Sequence, residues 1–211
     1  MKLEDPEPVD HGKDHRRRTC IMEDKYIEAA MAYIEDLFAA NAGGHDTGHA
    51  MRVYKVAMYL ADHENGCDRM IVALAALLHD ADDHKLFDTK NNENARSFLQ
   101  TLDVSKEQTD RICNVINSVS FSKNRGKVPD TIEGMIVQDA DRLDALGAIG
   151  IARTFAYGGE HGRPLEQSVQ HFYDKLLLLK DEMNTETAKE IAKQRHVFLE
   201  NYLAELRKEI E

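Results

Sequence analysis

The chain has 211 residues, enough for one large domain, and its 42% hydrophobic and 31% charged residues are an ordinary globular balance. A formal net charge of -11 argues against a broad phosphate-tracking surface, so no nucleic acid polymer is expected as a partner, although a small phosphorylated ligand held by a metal and a few local cations is compatible with it. No apolar run approaches the ~18 residues of a membrane span, so no membrane association is expected. Cys20, Cys67 and Cys113 lie far apart with no Cys-x-x-Cys pair, which reads as reduced thiols and a cytoplasmic protein.

Residues 1–21 hold Pro6, Pro8, His11, His15, Arg16, Arg17 and Arg18 among many acids and almost no apolar side chains. They lack the apolar segment of a secretory signal and read as a loosely attached N-terminal segment outside the core. Met22 opens a stretch that reads as a complete domain, 22–211, and is a candidate natural start that N-terminal mass analysis of the native protein can decide. The spacing of Ile27, Met31, Ile34 and Phe38 predicts a helix over about 24–40. Gly43 and Gly44 end it, and Asp46 or Thr47 can cap the next, about 47–64, whose inward stripe contains His49, Val53, Val56, Ala57 and Leu60. Asp68 can cap a third helix, Met70 to Leu78, with no charge in nine residues and therefore buried on nearly every side. It ends in His79-Asp80, a pair that is costly to bury unless partnered or bound to a metal. Asn91 to Leu102 reads as a fourth helix, and Ser105 with Gln108 has capping-box spacing for a fifth. Pro129 suits the first turn of a sixth, which carries Asp139, Asp141 and Asp144 through an otherwise apolar stretch. Ala145 to Ala156 continues helical, with Gly147 and Gly150 suggesting close packing. A loop at 157–164 and two helices, about 165–182 and 185–207, complete an expected all-α, single-domain bundle.

The chemistry concentrates in three helices. His49, His79, Asp80 and Asp141 offer two imidazole nitrogens and two carboxylates, a ligand set suited to the inside of a bundle. Mixed nitrogen and oxygen ligation with open positions fits one divalent ion such as Mn²⁺, Fe²⁺, Co²⁺, Ni²⁺ or Mg²⁺ better than a closed structural zinc site. An open position can hold a water of lowered pKa beside a phosphoryl oxygen.

The ordered elements are Gly44-His-Asp-Thr-Gly-His-Ala-Met-Arg-Val53, Leu78-His-Asp-Ala-Asp-Asp-His-Lys-Leu-Phe87 and Asp139-Ala-Asp-Arg-Leu-Asp-Ala-Leu-Gly-Ala-Ile-Gly150. With them the chain, over about residues 24–205, resembles the HD-domain metal-dependent phosphohydrolases, and within them the small bacterial nucleotide pyrophosphohydrolase branch. The resemblance implies an HD-type helical bundle with His49, His79, Asp80 and Asp141 as metal ligands. It also implies hydrolysis of nucleoside triphosphates, deoxy forms included, to monophosphate and pyrophosphate. A nucleoside 5′-monophosphate phosphatase is the enzymatic alternative on the same scaffold, and a non-catalytic metal-dependent nucleotide sensor is the alternative from another class.

Asp83, three residues after Asp80, matches a position where related enzymes carry an acid that orients water or shuttles a proton. Asp82 is a poorer candidate. Lys85 and His45 are candidate phosphate contacts, as is Arg163, whose loop resembles one of the same branch; Tyr157 shares that loop. Asp46 can share the site or merely cap the helix. Arg52 and Arg142 can bind phosphate or, preferably, pair with Asp139 and Asp144, and Asp144 can orient a ligand. His84 reads as solvated, and His63, His171 and His196 as ordinary surface residues. The histidine-free stretch from Lys85 to Ala140 favours one metal over the multi-metal relatives of the family. A homo-oligomer is compatible with all of this.

Overall fold

Ten α-helices and one 3₁₀ segment, with no strand, form the described part of the molecule in a computed structural model. It describes the backbone of residues 11–39 and 47–210, and the side chains of residues 23–39, 47–121 and 123–210. The helices are α1 (His11–Phe38), α2 (Thr47–His63), α3 (Arg69–Leu78), α4 (Glu93–Thr101), α5 (Lys106–Val119) and α6 (Phe121–Asn124). They continue with α7 (Ile132–Asp144), α8 (Gly147–Glu160), α9 (Leu165–Asp174), the 3₁₀ segment Leu176–Glu182 and α10 (Glu186–Ile210). The all-α expectation holds.

Local chemistry sets the helix starts. The Asp68 carboxylate accepts from the Ile71 amide at 3.3 Å, and Ser105 Oγ from the Gln108 amide at 3.2 Å, so both predicted caps operate. Thr131 Oγ1 accepts from the Gly134 amide at 3.1 Å, which places the start of α7 after Pro129 and not on it. α1 begins at His11, well before the predicted residue 24.

α3 explains its own composition. Met70 through Leu78 are all buried, because α1, α2, α5 and α7 surround the helix. This central bundle is flanked by a second layer in which α8, α9, the 3₁₀ segment and α10 pack on one another, with α10 also against α7.

Two breaks differ from the predicted helices. Between α7 and α8 the chain turns at Ala145-Leu146, and Gly147 has φ +70, a conformation that favours glycine. At Gly150 an added Cβ would lie 2.1 Å from the Ala145 carbonyl oxygen, so only glycine lets α8 start against the turn that follows α7. The predicted helix 165–182 breaks at Lys175 (φ -138, ψ -61), and its second half tightens to 3₁₀. The first half of the predicted 157–164 loop is the last turn of α8.

Candidate metal centre

The centre is built where the C-terminal end of α3 meets α2 and the end of α7. His49 lies on the buried stripe of α2, so its ring enters the bundle interior. His79 and Asp80 follow the last residue of α3, where the helix leaves the core. Asp141 sits on α7, the helix that packs most extensively on α2.

These residues bring four potential ligand atoms together. The Nε2 atoms of His49 and His79 are 3.2 Å apart. Asp141 Oδ1 lies 3.3 Å from His49 Nε2 and 3.8 Å from His79 Nε2. Asp80 Oδ2 lies 3.6 and 3.4 Å from the same two nitrogens. Ligand bonds of about 2.1 Å space adjacent donors by about 3.0 Å at right angles and about 3.4 Å in a tetrahedron, so the observed spacings suit one ion. His49, His79 and Asp141 each offer one donor atom, and these three atoms all lie within 4.8 Å of one another.

Hydrogen bonds on the far sides of the rings fix which nitrogen faces the cluster. His49 Nδ1–H donates to Asp144 Oδ2 at 2.7 Å, and His79 Nδ1–H donates to the Ala76 carbonyl at 2.8 Å. Both Nε2 atoms are thereby aimed inward, the arrangement a metal-binding histidine requires. Asp144 is itself held by Arg52, whose Nε and Nη2 reach its two oxygens at 2.7 and 3.0 Å. Arg153 Nη1 reaches Asp144 Oδ2 at 2.7 Å. Burial raises the pKa of Asp144, but the bonds from His49 and Arg52 outweigh it and hold the carboxyl well below its usual range.

The charges of the centre call for a cation. Burial alone would lower the pKa of His49, yet bonds to Asp141 and Asp144 and the charge of Asp80 raise it to about 9. The carboxylates thus favour positive charge at Nε2, the place a divalent ion would take. Burial likewise opposes the charge of Asp141, and His49 and His79 more than compensate, lowering its pKa. The donor set fits a divalent metal.

The centre opens into a cavity of about 940 Å³, and the other predicted residues distribute around it. Asp83 lines it in the turn after α3, with Oδ1 accepting from the Lys85 amide at 2.8 Å and lying 3.4 Å from His84 Nδ1. Lys85 and Arg163 also line it, the Arg163 guanidinium resting over the Tyr157 ring at 5.1 Å. Asp82 holds the fold: its carboxylate accepts from the amides of Asn94 and Ala95 at 2.9 and 3.0 Å, capping α4 from a distance. Arg142 pairs with neither Asp139 nor Asp144; its Nη2 lies 3.3 Å from Glu182 Oε2, and Nη1 donates to the Glu182 carbonyl, fastening the 3₁₀ segment to α7. His45 and Asp46 lie outside the described residues.

Part of the lining goes beyond the residues predicted from sequence. Arg153 stands in a stretch that reads as small and apolar, yet a single arginine between Ala145 and Ala156 is the same kind of signal as His79-Asp80. Lys175 precedes four leucines, a pattern no amphipathic helix accommodates, and it lines the cavity from the break between α9 and the 3₁₀ segment. His171 is half-buried on the same wall, and His196 is 8% exposed with Nε2 3.4 Å from Glu200 Oε1; neither is an ordinary surface residue.

Residues 47–146 match the model of the HD domain family. The chain is 43% identical over 195 residues to the Bacillus subtilis protein YpgQ, covering 88% of this chain and 94% of that one. A crystal structure of YpgQ in complex with ADP superposes with a TM-score of 0.78 at 39% identity, covering 89% of this chain and 96% of the other. A crystal structure of an HD-superfamily hydrolase from Bacillus thuringiensis superposes with a TM-score of 0.73 at 40% identity, covering 89% and 97%. A buried pair of inward-facing imidazoles with carboxylates beside them, in a bundle shared along nearly the whole chain with these proteins, places the chain in the HD-domain family as a metal-dependent phosphohydrolase.

Proposed function

We propose that the chain hydrolyses nucleoside triphosphates, deoxy forms included, to the monophosphate and pyrophosphate, with one divalent metal held by His49, His79, Asp80 and Asp141. The observation that carries this reading is the opening of the four-donor cluster into a large cavity lined by Lys85, Arg153, Arg163 and Lys175. The ADP bound to the similar YpgQ supports a nucleotide as the ligand.

A divalent ion in such a site polarises a phosphoryl oxygen and lowers the pKa of a water. The remaining work falls to the chain. Asp83, at the cavity wall, takes the proton of the attacking water. Lys85 and Arg163 bind phosphate oxygens and offset the charge that builds on them as the bond breaks. Asp144 keeps His49 in the tautomer that presents Nε2. Buried Leu176 and Leu179 form a dry part of the wall, which strengthens these charge interactions. Reduced thiols and the absence, among the described residues, of any helix long and apolar enough to cross a membrane are compatible with work on cytoplasmic nucleotides.

The test is a panel of nucleoside mono-, di- and triphosphates with Mn²⁺, Mg²⁺, Co²⁺ and Ni²⁺, with Asp80→Ala as control. Pyrophosphate released from triphosphates, and a loss of at least about 100-fold in Asp80→Ala, is the expected result. Orthophosphate from a monophosphate makes the chain a monophosphatase instead. Tight nucleotide binding without turnover makes it a sensor, and full activity of Asp80→Ala removes the ligand assignment.

A further inference from the structure

Lys175 is not accounted for by the fold. It stands at the break between α9 and the 3₁₀ segment, half-buried, where its side chain lines the cavity facing the metal centre. Its ammonium rests 4.6 Å from the centre of the Phe121 ring, and among the described residues no carboxylate pairs with it. Charged lysines are rarely taken out of water without a partner. Burial is the strongest influence on it and lowers its pKa; Asp141 raises it, and Lys85, Arg153 and Arg142 lower it again. Burial therefore works against the charge of Lys175, Asp141 offsets it only in part, and an anion in the cavity would relieve it.

The anion must carry several charges. Lys85 from the turn after α3, Arg163 after α8 and Lys175 after α9 come from three separate segments and border the same cavity. A chain of phosphates carries enough charge to pair with cations on three separate segments, which one phosphate held at the metal centre does not. The Phe121 ring face favours the charge through a cation–π contact, and an anion in the cavity would favour it further.

We propose that Lys175 is a specificity-determining residue that binds the phosphates beyond the one held at the metal, so that polyphosphate chains are selected over single phosphates. This rests on the nucleotide reading for the substrate that carries the chain, and not for the binding of the chain itself.

The experiment is calorimetric titration of the full chain, loaded with one equivalent of Mn²⁺, with inorganic triphosphate, pyrophosphate and orthophosphate. Wild type is expected to bind triphosphate at least about tenfold more tightly than orthophosphate, and Lys175→Met to lose about tenfold of the triphosphate affinity while orthophosphate is unchanged, the size of one charge-assisted hydrogen bond. Lys175→Arg, which keeps the charge, retains most of it. Equal triphosphate affinity in wild type and Lys175→Met overturns the proposal, as does an equal loss for all three anions, which would mark a general field effect. A measurement on wild type alone guards against a variant that does not fold. Inorganic triphosphate should protect Lys175 from acetic anhydride, read by mass spectrometry, where orthophosphate does not; equal labelling with both anions overturns the proposal. If wild type turns over no nucleotide, the proposed function fails, while these titrations still decide the role of Lys175.

Discussion

Asp144 shows how one residue can organise a site it does not enter. It takes hydrogen bonds from His49, Arg52 and Arg153, so a single carboxylate sets the tautomer of a candidate ligand and anchors two arginines. Asp144→Asn is expected to weaken metal binding about 10- to 100-fold, the usual effect of losing a group that orients a metal ligand, measured by calorimetry. The raised pKa of His49 gives a second prediction. A metal must displace the proton that the carboxylates hold there, so its apparent affinity should rise about tenfold per pH unit and level off as pH passes about 9. The sign for stability is opposite in the metal-free protein. A histidine raised from 6.5 to about 9 contributes stability that is complete below pH 6.5 and is lost as pH rises through 9. The melting temperature of the stripped protein should fall across that window, and a flat profile would exclude the raised value.

Among the helices, the ones that carry the site are positioned by polar side chains from other helices. Asp139 is fully buried, two residues before Asp141, and belongs to α10 in its interactions: it accepts from the amides of Asn184 and Thr185 and from both of their side chains. It holds the two residues that precede α10, of which Thr185 accepts from the Ala188 amide at 3.3 Å, and so ties α10 to α7. Asp139→Ala leaves several buried donors unpaired and is expected to cost about 1–3 kcal/mol, read by urea unfolding. Periodicity could place α7 and α10 but not this link, because Asp139 looks in sequence like a third carboxylate beside Asp141 and Asp144. The same limit explains Arg142: its neighbours in sequence are acids, while the residue it pairs with, Glu182, lies 40 positions away. It also explains the split helix at Lys175, where α8 and α10 pack against the segment and the local pattern is overruled.

The whole molecule divides into a bundle that supplies the metal ligands and a C-terminal layer that supplies much of the opposite cavity wall. Leu74, fully buried in α3, lies in the core around which α1, α2, α5 and α7 pack. Leu74→Ala should destabilise the protein by about 2–5 kcal/mol in chemical denaturation. The amino-acid sequence alone determined the all-α class, the caps at Asp68 and Ser105 and the enclosed helix α3, and it singled out His49, His79 and Asp141, which the fold brings together. These are legible because helical period, capping and the cost of burying charge act within a few residues. Only the tertiary structure decided which carboxylate orients His49, which acid pairs with Arg142, that Asp82 caps α4, and that Lys175 and Arg153 reach the cavity. Those outcomes depend on how helices distant in sequence are packed, and hydrogen bonds and charges act through space with no periodicity for a sequence to display.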